Sequence, residues 1–425
     1  MKESLLQWIW QYQYFNAHDL RTTAGQILQV SSSGELNTHQ GPDFLDARIK
    51  IGDTWWAGAV ELHRVASDWE KHTHQTDKNY RNVILHVVWV DDAEAEVRTG
   101  QRGIPTLVLE HRVPKWLLGR YEEWMKSRDF IACQQQMAEV GEGVWRVWKE
   151  QLMEERLKRR TGAIADRLRT NRQHWEETCW WMMARAFGGT VNGEAFEMIA
   201  RSLPVTMIAR QSKGDHRIEA LLLGQAGLLE GAFKDDHPRR LQQEFHHLRL
   251  KYGLLSNPVP VHFLRMRPGN FPSVRLAQLA GLMEGCSSWF SRIREAEGPD
   301  MLKEWMEVAA SGYWDDHYIP DRPSVRRVKR LGEALKDSLI INVFAPLVYT
   351  YGCHRDDPGC REKAIGWLKA LKAEKNVILA GWARLGVRCG HAGDSQALLE
   401  LKKRYCEPKN CLQCAVGKTL LGRTA

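Results

Sequence analysis

Gly41-Pro42-Asp43-Phe44 and, eighteen residues after that aspartate, Glu61-Leu62-His63 are the two strings that decide the predicted fold. Asp43 comes directly before a strand-like run over residues 44–51, and Glu61 and His63 close a second strand candidate over 55–63. If the two strands are neighbours, two carboxylates and an imidazole lie at one end of a sheet. Because Mg²⁺ and Mn²⁺ prefer oxygen ligands, the sequence predicts a site there that can hold either ion against a phosphodiester.

The segments on either side of these strings extend the predicted sheet. Apolar spacing predicts a helix over residues 4–16 and a short strand over 26–30. A polar helix is predicted over 67–80, a β-branched run typical of a buried strand over 83–90, and one more strand over 104–110. The predicted order is a helix, three strands, a helix, a strand and a further strand, which is an α/β arrangement.

The rest of the chain has a different periodicity. From about residue 112 the apolar residues follow helical spacing. At 425 residues the chain is long enough for two or three domains with separate cores. We expect an α/β domain over residues 1–125, a large mainly α-helical domain over 126–388 and a Cys-rich C-terminal tail over 389–425.

The composition is that of an ordinary globular protein, with 43% hydrophobic and 26% charged residues. No apolar run is long enough for a membrane span and no secretion signal is recognisable, so we expect a cytoplasmic protein without a membrane partner. A net charge of +8 favours a polyanionic partner such as nucleic acid, DNA in the first place. A mildly basic enzyme without such a partner is the alternative. Phosphate-loop and nucleophile-elbow motifs are absent from the sequence, so ATPase and serine hydrolase functions lack support.

Asp43 and Glu61 are the predicted metal ligands, and with His63 they form the predicted catalytic set. Phosphodiester cleavage needs a hard cation that binds the phosphate and acidifies a water molecule. His63 could orient or deprotonate that water, or could itself ligate the metal. The alternative is that Glu61 and His63 are simply the polar face of a half-exposed strand.

Further polar residues near the two strings are secondary candidates for the same site. They are Glu35, His72, His74, Asp77 and Tyr80. Four of them fall on the predicted helix 67–80, and the equivalent helix of such a site can contribute polar side chains. A solvated helix face explains these four equally well, and a turn after Gly34 is the simpler explanation for Glu35.

Arg265, Arg267 and Arg275 are the candidate nucleic-acid-binding residues. They flank a loop that Pro268 and Gly269 define, directly before a predicted helix. Arginines beside a helix N-terminus can clamp a phosphate. Pairing of these arginines with acidic side chains elsewhere in the chain is an equally good explanation.

The nine cysteines are concentrated near the C-terminus, where a C-x4-C-x2-C pattern is formed by Cys406, Cys411 and Cys414. Cys389, or a residue of the string Gly352-Cys353-His354, could supply a fourth ligand. Tetrahedral thiolate ligation suits Zn²⁺, and the same spacing also occurs in iron–sulfur sites. We therefore expect a bound metal, zinc in preference to an iron–sulfur cluster. For the scattered cysteines the default expectation is a small core residue, and these are Cys133, Cys179 and Cys286.

The order of elements and the position of the motifs resemble the PD-(D/E)XK nuclease superfamily, with its αβββαβ restriction-endonuclease-like core. In that core the motif aspartate begins the second strand and the E-x-K motif ends the third, and Asp43 and Glu61 match these places. His63 stands where the superfamily has its usual lysine. The resemblance implies a Mg²⁺- or Mn²⁺-dependent nuclease that hydrolyses DNA or RNA. The alternative is a catalytically inactive nuclease fold that serves as a nucleic-acid-binding or protein-interaction module.

A second resemblance covers nearly the whole chain. The strings Gly41-Pro-Asp-Phe, Arg217 to Leu229, Asn270 to Ala280 and Tyr405 to Gly417 resemble a bacterial family of unknown function. This resemblance implies no particular activity, so the nuclease prediction depends on the first quarter of the chain.

Overall fold

The structure, a computed structural model, describes residues 1–72, 74, 77–92, 104–211, 216–255, 260–264, 266–286 and 288–422. It divides the chain into two compact units. Unit 1 consists of Met1–Trp148 and Leu401–Ala425, and unit 2 is Lys149–Glu400. The last part of the chain therefore belongs to the same unit as the N-terminal sheet. The domains 1–125, 126–388 and 389–425 stay predictions.

Unit 1 contains a mixed β-sheet that begins after helix α1 (Glu3–Gln11). Its described strands are β1 (Leu28–Ser32), β2 (Glu35–Leu36), β3 (Phe44–Ile51), β4 (Thr54–Val65), β5 (Val83–Val90) and β6 (Thr106–Val108). The order across the sheet is β1-β3-β4-β5-β6, and β2 pairs with β3. Strand β3 is antiparallel to β1 and β4, whereas β5 is parallel to β4 and β6. This arrangement joins a hairpin meander to a parallel crossover within one sheet.

The sequence located three central strands of the sheet correctly and gave the helix after them the wrong length. Strands predicted over 44–51 and 83–90 are confirmed, and the strand predicted over 55–63 is longer at both ends. The predicted helix 67–80 is wrong in its length, because α2 covers only Asp68–Lys71. A separate 3₁₀ turn, Lys78–Tyr80, begins where the Asp77 carboxylate accepts a hydrogen bond from the Asn79 N–H. A side-chain cap of that kind starts a new turn and competes with a continuous helix.

A β-bulge lies at the start of β3, directly after Asp43. Phe44 pairs with Val60 but Ala47 pairs with Gly58, so β3 contains one extra residue. Within this bulge Asp46 has φ at +57°, a left-handed conformation that Asp tolerates better than most residues. The bulge sets the position of Asp43 relative to the opposite strand.

Successive residues of β4 and β5 are buried at the centre of the sheet, so both of its faces are covered there, and α1 packs against β4. Phe44, Val60, Leu62, Leu85 and Val87 have no exposed surface. Full burial of one such side chain is worth about 1.5–3 kcal/mol relative to exposure, so this core fixes the register on which the site depends.

The remaining described elements are mainly helical, which confirms an α/β region followed by a large helical region. The helices are α3 (Lys115–Lys126), α4 (Glu142–Thr170), α5 (Trp175–Ser202), α6 (Val205–Gln211), α7 (Arg217–Gln225), α8 (Asp236–Tyr252), α9 (Pro272–Gly285), α10 (Trp289–Glu295), α11 (Pro299–Trp305), α12 (Glu333–Leu339), α13 (Ala345–Arg355), α14 (Pro358–Ala370), α15 (Val377–Arg384), α16 (Ala392–Leu401) and α17 (Ala415–Gly422). A two-stranded ribbon, His317–Ile319 with Arg322–Pro323, lies in unit 2. Of the described helices, none combines the length and the apolar character that a membrane crossing requires.

Candidate metal centre

Three polar side chains of the sheet converge on one of its faces. Glu61 and His63 are two residues apart in β4, so their side chains share a face while Leu62 between them is buried on the other. In the parallel register of the neighbouring strand β5, His86 pairs with Glu61. Glu61, His63 and His86 are only 5%, 2% and 2% exposed. Polar groups buried to this extent need partners, which they find in one another and in the connection between the strands.

The connection between β4 and β5 adds two more imidazoles. Nε2 of His74 lies 3.3 Å from Glu61 Oε1, and Nε2 of His63 lies 3.4 Å from the same oxygen. One ligand atom from each of His63, His72 and His74 lies within 4.8 Å of the other two. We call Glu61, His63, His72 and His74 the Glu–His cluster. The three imidazole ligand atoms are spaced closely enough to surround a single metal ion, and Glu61 Oε1 lies beside two of the rings.

Aromatic rings and a further histidine fix the orientation of the cluster. The ring of His74 stacks on Tyr80 at 3.8 Å between centroids, and Trp69 meets His74 edge-on at 5.4 Å. Nδ1 of His63 lies 2.9 Å from Nε2 of His86. Nδ1 of His63 therefore contacts His86, and Nε2 faces Glu61. In metal-binding histidines, too, the ring nitrogen that does not bind the metal contacts a second polar group, which fixes the ring.

Burial and crowding keep the histidines neutral. Burial lowers the pKa of His63 to about 3, helped by the nearby His86, His74 and His72. Burial also lowers the pKa of His86 to about 4, and that of His74 falls for the same reason. Neutral imidazole is the form that binds metals, so the sheet presents these rings ready for ligation at neutral pH.

The pKa values of the two carboxyl groups, Glu61 and Asp43, are raised. Burial, together with the neighbouring Asp43, raises the pKa of Glu61 to about 8. Burial likewise raises the pKa of Asp43 to about 6. Two buried acids side by side resist ionisation, and a bound cation would reverse this by favouring both charged forms.

Asp43 lies beside the cluster with its oxygens already engaged. Oδ1 accepts a hydrogen bond from the Gln7 side chain at 2.8 Å, and Oδ2 accepts one from the Leu62 N–H at 3.0 Å. The backbone N–H of Asp43 in turn donates to Glu61 Oε2 at 3.0 Å. Asp43 thus fixes Glu61 Oε2 and the backbone of β4. The second carboxyl oxygen of Glu61, Oε1, faces the histidines.

The residues present fit a metal ion. Nε2 of His74 is buried, and its 3.3 Å contact with Glu61 Oε1 does not have hydrogen-bond geometry. This nitrogen therefore has no hydrogen-bond partner among the described residues, an arrangement that is costly unless another group binds it. Three imidazoles and a carboxylate form a mixed nitrogen and oxygen donor set. Such a set suits transition metals, whereas Mg²⁺ prefers oxygen ligands. Of the two ions predicted from the sequence, the site therefore favours Mn²⁺.

The secondary candidates separate into two groups. His72, His74 and Tyr80 lie at the site, and the Tyr80 hydroxyl donates to the Gly41 carbonyl at 3.3 Å. Asp77 caps the turn before Tyr80. Glu35 is exposed in β2 and pairs with Leu45, away from the described contacts of the cluster.

Two participants were missed by the sequence reasoning. His86 is embedded in the apolar run 83–90, and a histidine inside a buried strand is itself a signal that could have been used. Gln7 lies on α1, and its contact with Asp43 spans 36 residues, so no local pattern indicates it.

The predicted arginines all belong to unit 2. Arg265 lies outside the described residues, and Arg267 is exposed before a short 3₁₀ turn. Arg275 donates to Gln278 at 2.9 Å and to Asn270 at 2.5 Å, and burial lowers its pKa. These internal contacts favour a structural role for Arg275, the alternative that the sequence left open. Cys389 also belongs to unit 2, where its sulfur lies 3.3 Å from the Ser395 hydroxyl.

These features define a two-unit protein whose N-terminal mixed sheet holds a buried glutamate–histidine cluster. Residues 3–377 match the family described as "Protein of unknown function (DUF2851)", and the chain belongs to that family. None of the curated proteins and none of the solved structures matches the chain. The resemblance to a family of unknown function over nearly the whole chain is confirmed, and the resemblance to the nuclease superfamily stays a prediction.

Proposed function

We propose that unit 1 is a metal-dependent nuclease whose metal ion is held by the Glu–His cluster. One observation carries the proposal: Glu61 Oε1 lies within 3.4 Å of two imidazole nitrogens, and one of these, Nε2 of His74, is buried without a hydrogen-bond partner among the described residues. A metal ion among these atoms would satisfy the orphaned nitrogen and offset the cost of ionising buried Glu61.

Each residue has a definite role in this proposal. Glu61, His63 and His74 hold the metal, and the exposed His72 completes the set. The metal, when bound, supplies a site for a phosphate oxygen and lowers the pKa of a water molecule. His86 orients His63 through the contact at Nδ1.

Asp43 acts mainly as a positioning residue. Its carboxylate fixes the Leu62 N–H between Glu61 and His63, and its own N–H fixes Glu61. Each carboxylate oxygen keeps a second lone pair, so the direct ligation predicted from the sequence is compatible with these contacts.

The choice of nucleic acid as substrate depends on charge and on the order of elements. A net charge of +8 favours a polyanion. The order α1, three main strands, a helical connection and a parallel strand is the order expected for the αβββαβ core. Both observations support the proposal, and neither distinguishes DNA from RNA.

The low exposure of the cluster favours a second candidate, a metal-stabilised nuclease fold that binds nucleic acid or protein without cleavage. Glu61 and His63 are at most 5% exposed. His72 is the exposed member, so access to a metal would come from its side.

Cleavage of labelled single-stranded DNA, double-stranded DNA and RNA, with Mn²⁺ or Mg²⁺, distinguishes the two candidates. We expect cleavage with Mn²⁺ that falls at least 100-fold in Glu61→Gln, because a ligand and its charge are lost. Asp53→Asn, in the exposed turn between β3 and β4, is the matched control and should cleave like the wild type.

Three results would change the conclusion. Nucleic-acid binding without cleavage supports the inactive module. Cleavage that persists in Glu61→Gln places the activity elsewhere, or in a contaminant, and removes the proposal. Equal loss in Asp43→Asn and Glu61→Gln, together with loss of Mn²⁺ binding in both, makes Asp43 a ligand as the sequence predicted.

A further inference from the structure

Four cysteines of unit 1 share one buried region. Cys133 precedes the 3₁₀ turn Gln134–Glu139, and the other three are the cysteines of the C-x4-C-x2-C pattern. The thiol of Cys406 interacts electrostatically with those of Cys414, Cys133 and Cys411, and the thiol of Cys133 with those of Cys414 and Cys411. Cys133, Cys411 and Cys414 are at most 8% exposed. Cys133 is a buried core residue, as expected, and its thiol interacts with the three thiols of the C-x4-C-x2-C pattern.

Hydrogen bonds and packing fasten the tail to the segment that leads to Cys133. Between Cys406 and Cys411, Lys409 donates from Nζ to the Ser127 carbonyl at 2.9 Å and to that of Met125 at 2.5 Å. Lys402 Nζ lies 5.2 Å from the centroid of the Phe130 ring. A Cβ on Gly417 would lie 2.1 Å from the Cys411 carbonyl oxygen, so only glycine allows this close approach.

N–H groups surround the sulfur of Cys414. The backbone N–H groups of Val416 and Gly417 donate to this sulfur and lower its pKa against the larger raising effect of burial. The indole N–H of Trp148 is buried and meets the criteria for a hydrogen bond with none of the described residues, and the group it interacts with is this same sulfur. A neutral thiol is a weak acceptor, whereas a metal-bound thiolate is a good one. This set of donors is suited to a thiolate.

We propose that Cys133, Cys406, Cys411 and Cys414 form a four-thiolate metal site that joins the C-terminal tail to the rest of unit 1. Cys133 takes the place that the sequence pattern assigned first to Cys389. A bound metal holds its cysteine ligands as thiolates, the form that the N–H donors around Cys414 match. The site is separate from the Glu–His cluster and does not depend on the proposed nuclease activity.

The spacing of the sulfurs indicates the kind of metal centre. With Zn–S bonds of about 2.3 Å, neighbouring sulfurs of a tetrahedral zinc site lie about 3.8 Å apart. Among the described residues, the ligand atoms of His63, His72 and His74 form the group of three that all lie within 4.8 Å of one another. No three of the four sulfurs are that close together. The four sulfurs are therefore spaced more widely than zinc requires. An iron–sulfur cluster, whose cysteines bind different iron atoms, fits this wider arrangement.

Metal analysis of the full-length protein, purified without oxygen or chelators, tests the site. Iron, acid-labile sulfide and zinc are measured in the wild type and in the variants Cys133→Ser and Cys389→Ser. We expect iron and sulfide in the wild type and in Cys389→Ser, and at least a tenfold loss of both in Cys133→Ser. Stoichiometric zinc that is lost in Cys133→Ser would support the same four ligands around a zinc ion instead of an iron–sulfur cluster.

Metal that is retained in Cys133→Ser and lost in Cys389→Ser overturns the proposal. A wild-type protein that binds neither iron nor zinc overturns it as well. If Cys133→Ser does not fold, X-ray absorption at the metal edge of the wild type decides the question. An all-sulfur first shell supports four cysteines, and a nitrogen or oxygen ligand from the protein contradicts them.

Discussion

At the scale of single residues, the contact between His63 and His86 favours the proposed metal centre over a polar strand face. A histidine that only fills space needs no second imidazole 2.9 Å behind it. A histidine that binds a metal gains from such a partner, because the partner fixes the ring and the tautomer. The buried position of His86 therefore supports ligation by His63.

Replacement of His86 by phenylalanine should weaken Mn²⁺ binding by about 10–100-fold, the usual effect of losing an outer-shell partner. Phenylalanine keeps a ring in the buried strand and removes the nitrogen that contacts His63. Isothermal titration with Mn²⁺ measures the change. His111→Gln is the control, because the His111 side chain is 90% exposed. Unchanged affinity in His86→Phe would mean that His63 is not a ligand.

At the scale of elements, β4 and β5 approach each other closely at Gly58. A Cβ on this residue would lie 2.6 Å from both the Asn82 carbonyl oxygen and Ile84 Cγ2. Contacts this short force atoms apart, and Gly58 is three residues before Glu61 in the same strand. The spacing of β4 and β5 at Gly58 therefore contributes to the geometry of the cluster.

Gly58→Ala should destabilise unit 1 by about 1–3 kcal/mol, the usual cost of overpacking, and should weaken Mn²⁺ binding as well. Thermal unfolding with and without Mn²⁺ measures both effects. Gly119→Ala is the matched control, since a Cβ there meets no atom within 4 Å and the residue lies within helix α3. A stable Gly58→Ala protein with normal Mn²⁺ affinity would show that the sheet tolerates the displacement.

The sequence predicted those parts of the fold and site that local patterns encode. Strand β5 is a continuous β-branched run, so its limits could be predicted to the residue. The alternation in β4 placed Glu61 and His63 on one face. The partners Gln7 and Cys133 lie 36 and more than 270 residues from their contacts, and only the folded chain brings them together. The helix predicted over 67–80 was wrong in its length because the Asp77 side chain caps a separate turn, Lys78–Tyr80.

At the scale of the whole molecule, unit 2 contains a buried carboxyl group, that of Glu197, which three partly exposed arginines bind. Glu197 accepts hydrogen bonds from Arg167, Arg185 and Arg201 at 2.9, 3.1 and 2.8 Å. Burial alone would raise the pKa of Glu197, but these three guanidinium groups together lower it to about 2. A carboxyl group whose pKa is lowered by folding stabilises the protein above its unfolded pKa and loses that effect as the pH falls.

Glu197→Gln should therefore destabilise unit 2 at pH 7 by about 2 kcal/mol, of the order of one charged hydrogen bond. The difference from the wild type should shrink as the pH falls from about 4.5 towards 2, where Glu197 itself becomes protonated. Urea unfolding at several pH values measures it. Glu194→Gln, on the exposed side of the same helix, should behave like the wild type at every pH. A difference that does not depend on pH would assign the effect to packing.

Unit 1 is assembled from both ends of the polypeptide, and this affects how the protein is made. Residues 149–400 must be synthesised before Leu401–Ala425 can pack against the first part of unit 1. At roughly 5–20 residues per second, that first part waits on the order of fifteen seconds to a minute for its second segment. A chain that stops within residues 149–400 would therefore carry only the first part of unit 1.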